Sequence, residues 1–193
     1  MMTFLPYADF ALSAAALDPR RLQNQRTEAR FVLAWLDSAA EGGVGDLSAY
    51  GAARMWVGFR DALALYYNAM LAEYEKRGKT NGPTLARADA HDDGAVAMPP
   101  WIGDERFHAS HRAVLLAKDA AYYARHGWAE AAGGAPDWGR GWEYLYPHYS
   151  EADGRWGLYP QSRYKKREIV AWAHGPLVGG GGDARKRARP DAG

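Results

Sequence analysis

The 193-residue chain contains no cysteine, which excludes disulfides, thiol nucleophiles and cysteine-ligated zinc together. It also lacks an apolar run of transmembrane length and the successive basic, apolar and small-residue regions of a signal peptide. No glycine-rich phosphate loop follows a strand pattern, and no G-x-S-x-G motif occurs. The sequence therefore predicts a cytoplasmic protein that uses none of these chemistries.

Excess charge is also lacking, because 24 Lys and Arg residues against 23 Asp and Glu residues leave a net charge of +1 at pH 7. This balance excludes a polycation, so any binding to nucleic acid requires a local patch of positive charge. Hydrophobic residues make up 48% of the chain, which is ample for a core. The length suits one medium-sized domain.

Positive charge is concentrated between Arg20 and Arg30, where four arginines accompany one carboxylate, Glu28. Cations near a carboxylate favour its charged form, and the same cations attract a phosphate backbone. The pattern therefore indicates chemistry on a nucleic acid. A second interpretation remains open, in which this is a solvated helix face whose Glu28 pairs with arginines one turn away.

Helical periodicity accounts for most of the first 126 residues. Asp18 and Pro19 suit the start of the arginine-bearing helix, Asp104 suits the start of a later one, and Gly78 suits a helix end. The predicted elements are an extended segment at 1–7, helical segments at 9–18, 20–41, 51–77, 104–118 and 120–126, and a surface loop at 79–100.

Aromatic residues are interleaved with cations between Trp138 and Trp172. Such a mixture suits stacking on unpaired bases and contact with phosphates. The alternative is that the aromatic side chains pack a poorly helical extension onto the helices. The last residues, 179–193, are rich in glycine and then basic, and we predict that they form a disordered tail.

The helix predicted at 104–118 carries Glu105, His108 and His111 at intervals of three residues. Such a face could offer ligands to a metal ion. Steps of three drift around a helix by about 60° each, so the three side chains cannot all aim at one point. Hydrogen bonding in a polar pocket, or contact with phosphate, is the alternative.

Six motifs in order resemble the pyrimidine dimer DNA glycosylase (phage endonuclease V-like) family. They are Thr3-Phe4-Leu5-Pro6-Tyr7, Arg21-Leu22 with Gln25-Arg26 and Glu28, Arg54-Met55-Trp56, Tyr74 with Lys76-Arg77-Gly78, Pro99-Pro100-Trp101, and Phe107-His108-Ala109-Ser110-His111-Arg112. The resemblance covers roughly residues 2–130. It implies an all-α, single-domain fold in which the N-terminal segment threads between the helices, and a glycosylase with abasic-site lyase activity.

The resemblance also implies roles for particular residues. The α-amino group of Thr3 would attack the sugar of the damaged nucleotide and form a Schiff base, and Glu28 would stabilise the cationic sugar and assist proton transfer. The remaining matched residues would contact DNA, or, in the case of the last three, would contact DNA or support the site: Arg21, Gln25, Arg26, Arg30, His108, His111 and Arg112. In this chain Met1 and Met2 precede Thr3, so exposure of the Thr3 amine requires translation from Met2 and its removal.

The predicted organisation is a helical domain of about three main helices at 1–130, an irregular aromatic and basic extension packed on it at 131–178, and the tail. We expect a monomer that binds double-stranded DNA with damaged or abasic sites, needs no cofactor or metal, does not bind membranes, and associates with the nucleoid when bound to DNA. Two other functions stay open at this point. One is a helical nucleic-acid-binding protein without catalysis, and the other is a metal-dependent hydrolase that uses Glu105, His108 and His111.

Overall fold

A computed structural model describes residues 3–40, 51–85, 87–89, 96–130, 144–150 and 154–160. These residues form α1 (Phe10–Ala16), α2 (Pro19–Ala40), α3 (Gly51–Arg54), α4 (Arg60–Lys76), α5 (Glu105–Lys118), α6 (Ala120–Tyr123), β1 (Leu145–Ser150) and β2 (Arg155–Pro160). Short 3-10 turns occupy Pro83–Leu85 and Ala124–His126. The mainly helical character predicted from periodicity is confirmed.

The helix starts follow from the predicted caps. The carboxylate of Asp18 accepts a hydrogen bond from the Arg21 amide at 3.0 Å, and the carboxylate of Asp104 accepts one from the Arg106 amide at 3.0 Å. These side chains satisfy amide groups that have no partner within the first turn of a helix. Asp9 caps α1 in the same way, through the Leu12 amide at 2.8 Å.

Helix α2 packs against α4 through the apolar stripe that its periodicity predicts. The buried members of this stripe are Leu22, Ala29, Val32, Leu33 and Leu36. Helix α1 packs against α4 as well. The arginine-bearing helix is therefore fixed along one side by burial of apolar surface, which is the main source of helix stability in proteins.

The prediction of one helix over 51–77 is wrong, because the chain breaks between α3 and α4. Gly58 lies in the left-handed region with φ +83°, a backbone conformation that glycine adopts at little cost. The break buries Met55 and Trp56 completely, and the Trp56 ring lies 5.1 Å from that of Trp101, centroid to centroid. This turn brings the indole of Trp56 to the N-terminal segment.

The predicted irregular extension is also wrong in its described part, because 145–160 contains a β-hairpin. Strands β1 and β2 pair antiparallel, with Leu145 opposite Pro160 and Ser150 opposite Arg155. Strand β1 packs on α5 and α3, and the Leu145 amide donates to the Ser110 hydroxyl at 3.2 Å. The aromatic residues that the sequence places between 138 and 172 thus include part of a sheet that lies on the helices. The predicted tail at 179–193 lies outside the described residues.

No helix in the described part of the chain is long and apolar enough to cross a membrane.

Candidate active site

The N-terminal segment, defined here as Thr3 to Pro6, is buried along its whole length. Thr3 has no solvent exposure, and its hydroxyl accepts a hydrogen bond from the indole nitrogen of Trp56 at 3.1 Å. The hydroxyl also lies 3.9 Å from the sulfur of Met55. From Thr3 onward the predicted segment is packed onto the body of the protein, and the turn that follows α3 contributes Met55 and Trp56 to its surroundings.

Gln25 joins the N-terminal segment to Glu28. Its side-chain oxygen accepts a hydrogen bond from the Phe4 amide at 2.8 Å, and its amide nitrogen donates to Glu28 Oε2 at 3.1 Å. The Tyr66 hydroxyl lies 2.6 Å from the same Gln25 oxygen. Gln25 is only 1% exposed, whereas Glu28 is half-buried. One buried side chain therefore holds the predicted catalytic glutamate beside the backbone that follows Thr3.

The Tyr66 hydroxyl supports this bridge from α4. Complete burial is the largest cause of its raised pKa, and the charge of Glu28 raises the pKa further. The phenol is therefore neutral at physiological pH and acts as a hydrogen-bond donor to Gln25. In the sequence, Tyr66 follows only the periodicity of a helix, which carries no signal for this second role.

The arginines of α2 divide between its two sides. Residues two apart on a helix point about 160° away from each other, so Arg26 and Arg30 face nearly opposite to Glu28. Arg21 is seven residues before Glu28, close to two full turns, and lies on the same side. Helix geometry therefore puts Arg21, rather than Arg26 or Arg30, on the side of α2 that carries Glu28.

Arg21 is held by an acidic neighbour and a ring. Its Nη1 lies 2.5 Å from Asp18 Oδ2, and its guanidinium carbon lies 5.6 Å from the centroid of the Tyr123 ring. The Tyr123 hydroxyl donates to the same Asp18 oxygen at 2.6 Å. Although burial opposes ionisation, this hydrogen bond and the charge of Arg21 leave the pKa of Asp18 below its usual value. The side chain of Arg21 is thus oriented before any substrate arrives.

Arg26 is a packed structural residue, whereas Arg30 is exposed. The guanidinium carbon of Arg26 lies 3.3 Å from the centroid of the Tyr74 ring, and its Nη1 donates to Asn81 Oδ1 at 2.5 Å. Arg26 as a whole is 5% exposed. Arg30 and Arg20, by contrast, stand on the solvent side of α2, where a phosphate could approach them.

His108 and His111 bracket the backbone of Leu5. The Leu5 amide donates to His111 Nδ1 at 3.1 Å, and His108 Nδ1 lies 2.8 Å from the Leu5 carbonyl oxygen, to which it donates. His108 Nε2 accepts from the Gly103 amide at 3.0 Å. Each contact requires an imidazole that has one unprotonated nitrogen, so both rings are neutral. Burial accordingly lowers the pKa of His108 and lowers that of His111 well below the usual value.

Arg112 completes the contacts of α5 with the N-terminal segment. Its Nη1 donates to the Pro6 carbonyl oxygen at 2.8 Å, and its Nε donates to Glu130 Oε1 at 2.8 Å. Its Nη2 forms an ion pair with Glu105. Arg112 is 7% exposed, and its guanidinium already pairs with the carboxylates of Glu105 and Glu130. The geometry of His108, His111 and Arg112 therefore favours support of the site, which sequence analysis held open beside DNA contact.

The predicted metal-ligating set is not brought together. The ring nitrogens of His108 and His111 that face the segment hold the Leu5 backbone, and Glu105 pairs with Arg112. Among the described residues, no group of three or more His, Asp or Glu side chains could hold a metal ion. The described residues therefore do not support a metal-dependent hydrolase that uses Glu105, His108 and His111.

The β-hairpin adds an aromatic wall to the site that sequence analysis did not assign. The Tyr144 ring precedes β1 and lies 5.9 Å from the Phe4 ring and 5.3 Å from the His111 ring, centroid to centroid. Phe4 belongs to the N-terminal segment, and His111 binds the backbone of that segment at Leu5. Tyr144 was predicted only as one member of an aromatic stretch, because alternation in a short hairpin gives no indication of which helix it will cover.

Residues 1–86 match the protein family described as pyrimidine dimer DNA glycosylase. The matched part contains Thr3, Gln25, Glu28 and all of α2, so the resemblance read from the motifs is confirmed there. The match supports a DNA repair role of the glycosylase kind. Neither the curated proteins nor the solved structures show a significant match to the chain. Helix α5 and the hairpin lie outside the matched range.

Proposed function

We propose that the protein is a pyrimidine dimer DNA glycosylase with abasic-site lyase activity that acts through the amine of Thr3 and the carboxylate of Glu28. The observation that carries this proposal is the Gln25 bridge, which ties the Phe4 amide and Glu28 to one side chain. The family match over 1–86 supports the glycosylase part. Removal of Met1 and Met2 is required to turn the Thr3 nitrogen into an amine.

An α-amino group suits this reaction because its usual pKa, about 7.7–8.0, leaves far more unprotonated amine near neutrality than a lysine with about 10.4. The amine attacks the anomeric carbon of the damaged nucleotide, the bond to the base breaks, and the base leaves with a proton. The C1′–O4′ bond of the sugar ring then breaks, O4′ takes the proton given up by the nitrogen, and the C=N bond of a Schiff base forms between C1′ and that nitrogen. Removal of a proton from the adjacent sugar carbon then expels the 3′ phosphate and cuts the strand.

Glu28 has two tasks in this sequence. Its carboxylate stabilises positive charge on the sugar as the base departs, and it then accepts or returns protons at the sugar. Arg21 lies on the same side of α2 and is the arginine best placed to hold a phosphate beside the reacting sugar. Arg30 would contact the backbone farther along the duplex. Extruding a nucleotide costs a few kcal/mol, and less at damage, so these contacts need to offset only that amount.

The histidines and Arg112 would act as positioning residues. They hold the carbonyl or amide groups of Leu5 and Pro6, which follow Thr3 by two and three residues. A nucleophile on a chain end needs such restraint, because a misplacement of about 1 Å can cost on the order of 100-fold in rate. This assignment explains why neutral, buried side chains are found at positions where contact with phosphate was predicted.

Borohydride reduction tests the proposal directly. The full chain is incubated with a duplex that carries one abasic site, borohydride is added, and the trapped adduct is digested for mass spectrometry. The expected result is a covalent adduct on the Thr3 nitrogen, with intact mass showing that Met1 and Met2 are absent. An adduct on a lysine, or undiminished lyase activity in protein that retains Met1, would contradict the assignment of Thr3.

Replacement of Glu28 by glutamine separates catalysis from binding. We expect strand cleavage to fall by about 100-fold or more, since a positioned acid or base contributes about 10²–10⁴-fold. Binding to a duplex with an uncleavable tetrahydrofuran abasic analogue should stay within about twofold of the unaltered protein. Salt-sensitive binding with no adduct in either protein would instead favour a nucleic-acid-binding protein without catalysis.

A further inference from the structure

The Tyr144 hydroxyl is a buried polar group without a partner. Tyr144 is 6% exposed, and within the described part of the chain its hydroxyl makes no hydrogen bond. Two other fully buried tyrosines behave differently, since the hydroxyl of Tyr66 meets Gln25 and that of Tyr123 meets Asp18, both at 2.6 Å. Burying a hydroxyl without a partner costs free energy that a phenylalanine at 144 would not cost.

The position of Tyr144 connects this unpartnered hydroxyl to the candidate active site. Its ring lies against the rings of Phe4 and His111, and the Phe4 amide is joined through Gln25 to Glu28. Burial is the largest influence on the pKa of Tyr144 and raises it, the neighbouring Tyr146 and the charge of Glu28 raise it further, and Arg21 lowers it. The phenol is therefore neutral and carries a proton that it can donate.

We propose that Tyr144 is a substrate-contacting residue whose hydroxyl donates a hydrogen bond to an oxygen of the sugar-phosphate at the nucleotide processed beside Glu28. This inference rests on the proposed function and extends it to the hairpin, which lies outside the family match at 1–86. A sugar-phosphate offers only acceptor oxygens at its phosphate and sugar ring, which a neutral donor satisfies without placing a second charge next to Glu28. The hairpin would thus supply part of the specificity of the site.

The test compares Tyr144→Phe with Tyr149→Phe in the full-length protein. Tyr149 lies on β1, the strand that Tyr144 precedes, and its ring lies 5.7 Å from that of Trp156, centroid to centroid, so its replacement controls for changes in the hairpin. We expect Tyr144→Phe to lower kcat/KM for cleavage of abasic-site DNA by about 10-fold, the effect of one hydrogen bond. The Tm should stay the same or rise, because no protein partner is lost. Tyr149→Phe should cleave at the rate of the unaltered protein.

A second arm identifies the acceptor. The same proteins are assayed on duplexes in which a neutral methylphosphonate replaces the phosphate on either side of the abasic site. If a phosphate oxygen accepts the hydrogen bond, the difference between the unaltered protein and Tyr144→Phe disappears on one of these duplexes. If a sugar oxygen accepts it, the difference persists on both. Either outcome supports the contact and assigns it.

The outcomes distinguish this inference from the proposed function. Absence of cleavage and of any trapped adduct with the unaltered protein overturns the proposed function and the inference with it. Normal cleavage by the unaltered protein and equal cleavage by Tyr144→Phe overturns the inference alone. A lowered Tm for Tyr144→Phe, in proportion to its loss of activity, also overturns it, because the hydroxyl would then serve the fold rather than the substrate.

Discussion

Lowering the pH should release the N-terminal segment by protonating the histidines that hold it. His111 accepts a hydrogen bond from the Leu5 amide, and a protonated ring has no nitrogen left to accept one. His108 is held neutral between the Leu5 carbonyl and the Gly103 amide. Both pKa values are lowered in the folded protein, mainly by burial.

The sign and size of the effect follow from proton linkage. A histidine whose folded pKa lies below the unfolded value of about 6.5 contributes stability that is fully present above pH 6.5 and declines as the pH falls below it. Charged neighbours do not reverse this direction: Glu105 raises the pKa of His108 and Arg112 lowers it, whereas His108 and Arg112 both lower that of His111. Well below pH 6.5, each proton taken up on unfolding lowers the free energy of unfolding by about 1.4 kcal/mol for each pH unit that the pH falls. The two histidines together lower it by up to about 2.7 kcal/mol per unit.

Urea unfolding at pH 7.5, 6.5 and 5.5 measures this slope. His111→Gln is the informative variant, because a glutamine oxygen can accept from the Leu5 amide but does not titrate. Between pH 6.5 and 5.5 its free energy of unfolding should fall by about 1 kcal/mol less than that of the unaltered protein, because the unfolded ring is only half protonated at pH 6.5. His126→Gln serves as the control, since His126 is half-buried and lies away from the segment, where it contacts the Ala16 carbonyl at 3.2 Å.

The reasoning would be refuted by parallel slopes for the unaltered protein and His111→Gln. Parallel slopes would mean that His111 binds its proton equally in both states, and hence that the Leu5 contact does not depend on a neutral ring. If His126→Gln changed the dependence of unfolding free energy on pH more than His111→Gln, the buried histidines would not be its main cause.

Two further predictions concern α2. Gln25→Ala should lower the free energy of unfolding by about 1–3 kcal/mol in urea, because the Phe4 amide and the Tyr66 hydroxyl lose a buried acceptor. It should also slow strand cleavage. An unchanged urea midpoint would contradict the bridging role of Gln25. Arg30→Ala should leave stability unchanged but reduce the slope of log affinity for duplex DNA against log salt by about 0.9. Arg26→Ala should lower the stability and leave the salt slope unchanged, since Arg26 is packed on α4. Equal salt slopes for Arg30→Ala and Arg26→Ala would contradict the division of the arginines between an exposed and a packed side.

Much of the helical part follows from local signals in the sequence. The caps Asp9, Asp18 and Asp104 and the apolar stripe of α2 depend on neighbours within a few residues, and such signals can be read without tertiary structure. The break at Gly58 could not be read in this way. The spacing of three and four continues through it, while the burial of Trp56 against Thr3 decides the local conformation.

The candidate site could be predicted only as far as residue types reveal chemistry. Glu28 was identifiable as a single acid among arginines, and Thr3 from the resemblance. Gln25 contacts Phe4 across 21 positions of the sequence, and His111 contacts Leu5 across 106 positions. The unpartnered hydroxyl of Tyr144 depends on how the hairpin lies over α5. Such long-range arrangements leave no periodic mark in the sequence.

The clamp on Leu5 has a consequence for the order of events during synthesis. The contacts that fix the start of the chain come from His108, His111 and Arg112, which leave the ribosome only after more than half of the protein has been made. Contacts between such distant residues form late in folding. A nascent chain that ends before α5 can form α2 but has nothing to restrain its own beginning. If the protein cleaves DNA as proposed, the late contacts would keep an unfinished chain inactive, because its Thr3 would not yet be positioned.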